Sequence, residues 1–160
     1  MALTNSQGTK VYLVPLGTAL ATPADIDAAI TAGKEIGCIQ DLGDLGSTRS
    51  VQEYSCLGTD DVSKSFGSVS YGNFTVGMLF DSTDAAGQAE LKAMYAANEN
   101  RIAIVVLNDG IYDATAVTNP TYFTFEAGVS GQTVSIQKDN AVLLNSTVEI
   151  ASTIVETAKV

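Results

Sequence analysis

The sequence has no histidine, only two cysteines, and only eight basic residues among 160. Without histidine it lacks the commonest general base, the commonest zinc ligand and the side chain that titrates near neutral pH. Cys38 and Cys56 alone form neither a structural zinc site nor a Cys-His nucleophile pair. Met1–Lys10 reads MALTNSQGTK and has no apolar core of a signal peptide. The longest purely apolar run, Ile102 to Leu107, is far short of the ~20 residues that cross a bilayer as a helix. Folding in a reducing cytoplasm, without a membrane, is therefore expected. The cysteines are expected to be small buried hydrophobes and not a bridge. The basic residues Lys10, Lys34, Arg49, Lys64, Lys92, Arg101, Lys138 and Lys159 stand singly. Gripping of DNA or RNA needs clustered Lys and Arg, so nucleic-acid binding is not expected.

What the chain does have is acid and apolar surface. It carries 18 acidic residues and a net charge of -10, with 46% hydrophobic and only 16% charged residues. That is too apolar for disorder, and below the ~25% charged residues of a typical soluble domain. The length fits a single domain over 1–160. A chain this apolar has more surface to hide than one small fold covers, which points to self-association.

Local pattern predicts a mainly β chain. Lys10 to Val14 reads as a first strand stopped by Pro15 and Gly17. Thr22-Pro23-Ala24-Asp25 starts a short helix that Gly33 ends near Ala32. Glu35 to Gln40 reads as a second strand. From Asp41 to Gly72 glycines and acids recur and only Ser50–Leu57 has strand character, so this segment is expected to be an extended, hairpin-like arm. Its polar and charged residues Arg49, Glu53, Tyr54, Asp60, Asp61 and Lys64 are candidates for contacts between subunits.

Asn73 to Asp81 alternates with period two, placing Phe74, Val76, Met78 and Phe80 on one face. A helix over Asp84 to Ala97 follows, with Gly87, Leu91, Met94, Tyr95 and Asn98 inward and Gln88, Lys92 and Ala96 outward. Arg101 to Leu107, apolar on both faces, is expected in the centre of a sheet. Asn108-Asp109-Gly110 signals a tight hairpin turn. Further strands are expected at Thr121–Ala127, Thr133–Gln137 and Thr147–Val155. The sum is an antiparallel β-sandwich or barrel with one main flanking helix and a long extended loop.

Chemical motifs fail on inspection. Gly43-Asp44-Leu45-Gly46-Ser47-Thr48 lacks the lysine of a phosphate loop, Asp60-Asp61 lacks the ligand spacing of a calcium loop, and Ser63-Lys64-Ser65 lacks a strained nucleophile turn. No catalytic residue, cofactor or metal is expected.

The order of elements resembles the tail tube proteins of long-tailed bacteriophages. The resemblance rests on Gly17-Thr18 after the first strand and on Ile36-Gly37-Cys38-Ile39 before an acidic loop with Ser47-Thr48-Arg49. It continues through Gly67-Ser68, the Asn73–Asp81 strand, the Ser82–Asn98 helix, and the Arg101–Gly110 strand and turn. It implies a structural, non-catalytic subunit whose copies close into hexameric rings. These stack into a tube in the virion tail, assembled in the host cytoplasm, alongside tape-measure, tail-terminator and tail-tip proteins. DNA would pass through without specific binding, helped by an acidic lumen. Glu126 and Glu149 are the lumen candidates, since each lies in a strand opposite its apolar residues. Two other readings stay open: the tube protein of a type VI secretion or contractile injection machine, and a monomeric β-sandwich binding or adhesion module.

Overall fold

The computed structural model describes residues 8–157 except 56, 59, 110–111, 114–115 and 118–119. In chain order the elements are β1 (Lys10–Val14), α1 (Pro23–Ala32), β2 (Lys34–Glu35), β3 (Ile39–Leu42), β4 (Ser47–Ser55), β5 (Val62–Tyr71) and β6 (Asn73–Leu79). There follow α2 (Gly87–Ala97), β7 (Arg101–Val106), β8 (Tyr112–Asp113), β9 (Ala116–Val117), β10 (Tyr122–Ser135), β11 (Leu143–Ile150) and β12 (Val155–Thr157). The main sheet runs β2-β1-β7-β10-β11-β6-β3, with β12 also on β10, and every pairing in it is antiparallel.

Its two edge strands, β2 and β3, are neighbours in sequence, with only Ile36, Gly37 and Cys38 between them. Four Cα steps span at most about 15 Å, so the two edges must lie close together and the sheet must curl almost into a barrel. The large core fills the inside of the curl: Val11 and Leu13, Phe74, Val76 and Met78, Ala103 and Val105, Phe125, Leu144 and Val148. Phe74 and Phe125 meet edge to face there, at 5.7 Å between centroids. The alternate residues of β1, β7 and β10 point outward, where Val14, Ile104 and Tyr122 form a second core with Ile26 and Ala29 of α1. This explains why Arg101–Leu107 is apolar on both faces: β7 is covered on both sides.

Helix α1 begins as the sequence predicts, with a capping box between Thr22 and Asp25 and Pro at its start. Helix α2 packs mainly against β10, and its first residue, Gly87, meets the chain where β2 ends. A Cβ on Gly87 would come within 2.3 Å of Glu35 O and 2.4 Å of Ile36 Cα, so only glycine permits this approach. Its hydrogen-bonded turns start three residues after the expected Asp84, yet Asp84 still caps them: its carboxylate accepts from the N–H groups of Ala86 at 2.7 Å and Gln88 at 3.1 Å.

Several expectations are corrected. The strand expected at Glu35–Gln40 is two strands at opposite edges of the sheet, separated by Cys38 at φ 56. Cys38 is exposed and not a buried hydrophobe, while Cys56 lies outside the described residues. The strands expected at Thr121–Ala127 and Thr133–Gln137 are one strand, β10, which bends at a register shift between Val129 and Gly131. The strand expected at Thr147–Val155 starts earlier and breaks after Ile150; β12 then resumes on the same partner. On α2, Gln88 is buried, whereas Tyr95 and Asn98 are exposed. The turn at Asn108-Asp109-Gly110 lies partly outside the described residues. Asp109 accepts from the Thr121 amide at 2.8 Å and from its hydroxyl at 2.6 Å, tying the start of this connection to its end.

Candidate functional site: the arm and the outer sheet face

The segment from Asp41 to Gly72 is dominated by a two-stranded antiparallel hairpin, β4 and β5, that forms a sheet of its own. Sequence reading finds only the first of its strands. In β5 the run Ser63-Lys64-Ser65-Phe66-Gly67-Ser68 is too rich in serine and glycine to signal a strand by propensity. Cross-strand pairing and not composition holds it.

Every residue of β4 is exposed, as are all those of β5 before Tyr71. The register sorts the hairpin into two faces. On one, Arg49 lies opposite Val69, Val51 opposite Phe66, Glu53 opposite Lys64, and Ser55 opposite Val62. On the other, Thr48 lies opposite Ser70, Gln52 opposite Ser65, and Tyr54 opposite Ser63. One face is thus apolar with charges and the other is mainly hydroxyl and amide. Phe66 is 65% exposed and Leu57, near the tip, is fully exposed. A soluble monomer rarely displays this many large apolar side chains on one face of a hairpin without a partner.

The six arm residues singled out by sequence therefore divide. Arg49, Glu53 and Lys64 share the apolar face, with Lys64 Nζ 2.7 Å from Glu53 Oε1. Both of those groups are more than half exposed, so that pair contributes little by itself. Tyr54 faces the other way, with its hydroxyl on Gln52 Oε1. Asp60 and Asp61 lie exposed between the two strands. What the sequence search missed is the apolar row itself. The alternation Val62, Lys64, Phe66 was the available signal for it.

Glu126 and Glu149 both face away from the inner core, on the same side of the sheet, since Gly128 pairs with Glu149 and Glu126 is two residues from Gly128. Their surroundings differ. Glu149 is exposed and accepts from Ser130 Oγ at 2.8 Å and Asn73 Nδ2 at 3.3 Å. Glu126 is half-buried, accepts from Asn100 Nδ2 at 2.8 Å, and lines a groove with Leu16 and Val155. No group of three or more potential metal ligands occurs among the described residues.

No protein-family model matches the sequence, and no curated protein matches it either. The fold, by contrast, is shared with solved structures. The chain has the tail-tube fold. A chain of the SPP1 tail tube superimposes with a TM-score of 0.68 at 13% identity, over 98% of this chain and 80% of that one. A chain from the tail of an empty gene transfer agent particle, refined helically with C6 symmetry, gives 0.67 at 9% identity, over 98% and 100%. A chain from the sheath/tube terminator structure of an extracellular contractile injection system, PVC, gives 0.68 at 10%, over 99% of both.

Proposed function

We propose that this protein is the structural subunit of a phage-type tail tube. Copies close into six-membered rings, and the rings stack into a conduit for DNA in the virion tail, assembled in the host cytoplasm. The observation that carries the reading is the arm: a hairpin whose apolar face is exposed among the described residues, on a tail-tube fold. Such a surface is completed by association. The likeness to a C6-symmetric tail favours rings of six. The subunit performs no catalysis; it binds copies of itself and meets tape-measure, terminator and tip proteins at the tube ends.

The surplus of ten negative charges supports a lumen that DNA slides past, because holding phosphate requires cations that release counter-ions. Glu149 and Glu126 belong to this wall, with Glu149 the more exposed of the two.

A tube carrying protein cargo in a contractile injection machine is the second reading, favoured by the equally good superposition on the PVC structure. Electron microscopy of the concentrated protein tests the main proposal: rings and tubes with a sixfold top view are expected, and a persistent monomer would overturn it. Mass spectrometry of purified particles separates the two machines, since the protein should be found in DNA-filled virions.

A further inference from the structure

Among the described residues, the curl of the main sheet is shut at one end and open at the other. Helix α2 closes the end near Arg101, whose side chain reaches Glu90. At the opposite end of β1 and β7 the seam between the sheet's edges leaves a cleft of about 570 Å³, within the ~300–1,000 Å³ of pockets that hold ligands. Val11, Leu42, Val105 and Phe123 supply apolar walls, and Asp41 and Asp44 stand beside them. Both acids are exposed, and neither has an ion-pair partner among the described residues. Thr9, in the same lining, keeps its hydroxyl buried with no hydrogen-bond partner among the described residues. A cleft so built suits an apolar segment flanked by cations and able to offer a hydrogen bond.

Among the described residues one segment outside the arm comes near this, Val134 and Ile136 close to Lys138, but it carries a single cation. Lys10, Lys34 and Arg101 are held in ion pairs with Glu35, Glu90 and Glu99, and Lys92 stacks over Phe80. On the arm, however, the exposed pair Val51 and Phe66 has Arg49, which forms no ion pair among the described residues, one step toward the base, and the Lys64–Glu53 pair one step toward the tip, all on one face. That pair is more than half exposed, so Lys64 exchanges partners at little cost.

We infer that the arm of one copy docks into the seam cleft of a second copy. Phe66 is the anchor, and Arg49 and Lys64 approach Asp41 and Asp44. The inference rests on the reading of the arm as a contact between subunits and adds the surface that receives it. Burial of Phe66 and Val51 provides the apolar contact, while the charge pairs fix register and weaken with salt.

The test places a photoreactive phenylalanine analogue at position 66 of an isotope-labelled chain and mixes it with unlabelled protein before assembly. Crosslinks between chains to positions 39–45 or 105–107 are expected. Links within one chain, to residues 1–7, or to another surface would overturn the inference. In parallel, Arg49→Glu with Lys64→Glu in one chain, and Asp41→Lys with Asp44→Lys in another, should each raise the concentration needed for assembly about tenfold or more. Mixing the two variants should restore assembly. Melting curves check that each stays folded. If the arm variant and Phe66→Ser both assemble normally, the reading of the arm itself falls. If they fail but the cleft variant assembles, or the mixture is not rescued, only the receiving surface is refuted.

Discussion

Gln88 and Leu79 are joined by a hydrogen bond of 2.6 Å from the side-chain amide of one to the carbonyl of the other. The same side chain accepts from the Asp81 amide at 3.1 Å. One buried glutamine therefore satisfies both backbone groups where β6 ends and the chain turns toward α2. The helix is docked by a polar contact as well as by its apolar stripe.

Gln88→Ala should lower stability by about 1–3 kcal/mol, since it removes a buried side chain and leaves two part-buried backbone groups without their partner. Urea unfolding measures it. A shift no larger than that of a substitution at the exposed Ala96, such as Ala96→Ser, would mean the contact is dispensable.

Leu91 is 1% exposed at the inner core, whereas Tyr95, one turn on, is 51% exposed. Leu91→Ala should cost about 2–5 kcal/mol, and Tyr95→Ala much less. Equal melting shifts would show that the helix buries a different face in solution.

Glu90 accepts from Lys34 Nζ at 2.6 Å and from Arg101 Nε at 2.8 Å. The hydrogen bond from Lys34, followed by that from Arg101, outweighs partial burial and holds its carboxyl below the ordinary value. The unfolded chain thus takes up this proton before the folded one does as pH falls. The stabilisation is full above the ordinary glutamate range, about pH 4.3, and is lost as pH drops through the lower folded-state value. Glu90→Gln should be less stable than the parent at about pH 7, and the gap should narrow toward about pH 3. A gap constant with pH would place the effect in packing.

In the arm, an isolated two-stranded hairpin is marginal in water. Amides of Ser50 to Ser55 should exchange quickly in the monomer and at least about tenfold more slowly in tubes. Strong and equal protection in both states would show an arm already rigid before assembly.

At the outer sheet face, Glu149→Lys with Glu126→Lys should leave rings intact and slow DNA ejection, because ammonium groups would hold passing phosphates. Glu149→Lys alone is the cleaner variant, since Glu126 also bonds Asn100. Unchanged ejection through normal tubes would remove both from the lumen wall. Failed assembly would place them between subunits.

The sequence by itself determined what depends on neighbours along the chain. Thr22, Pro23 and Asp25 mark the start of α1 because a capping box is local chemistry. Phe74, Val76 and Met78 reveal a strand with one buried face because side chains alternate, and the absence of histidine and clustered cations settles expectations about chemistry before any folding. Only tertiary structure decided the rest. Ile36-Gly37-Cys38 looks like the middle of a strand, yet it joins opposite edges of a curled sheet, which depends on closure of strands far apart in sequence. Gln88 looks like a solvent residue, and its burial depends on backbone groups seven and nine positions earlier. The second arm strand has poor intrinsic preference and exists because its partner pairs with it. The apolar face of the arm becomes visible only when that register brings Val51 opposite Phe66, since a face is a property of two strands and not of either sequence alone.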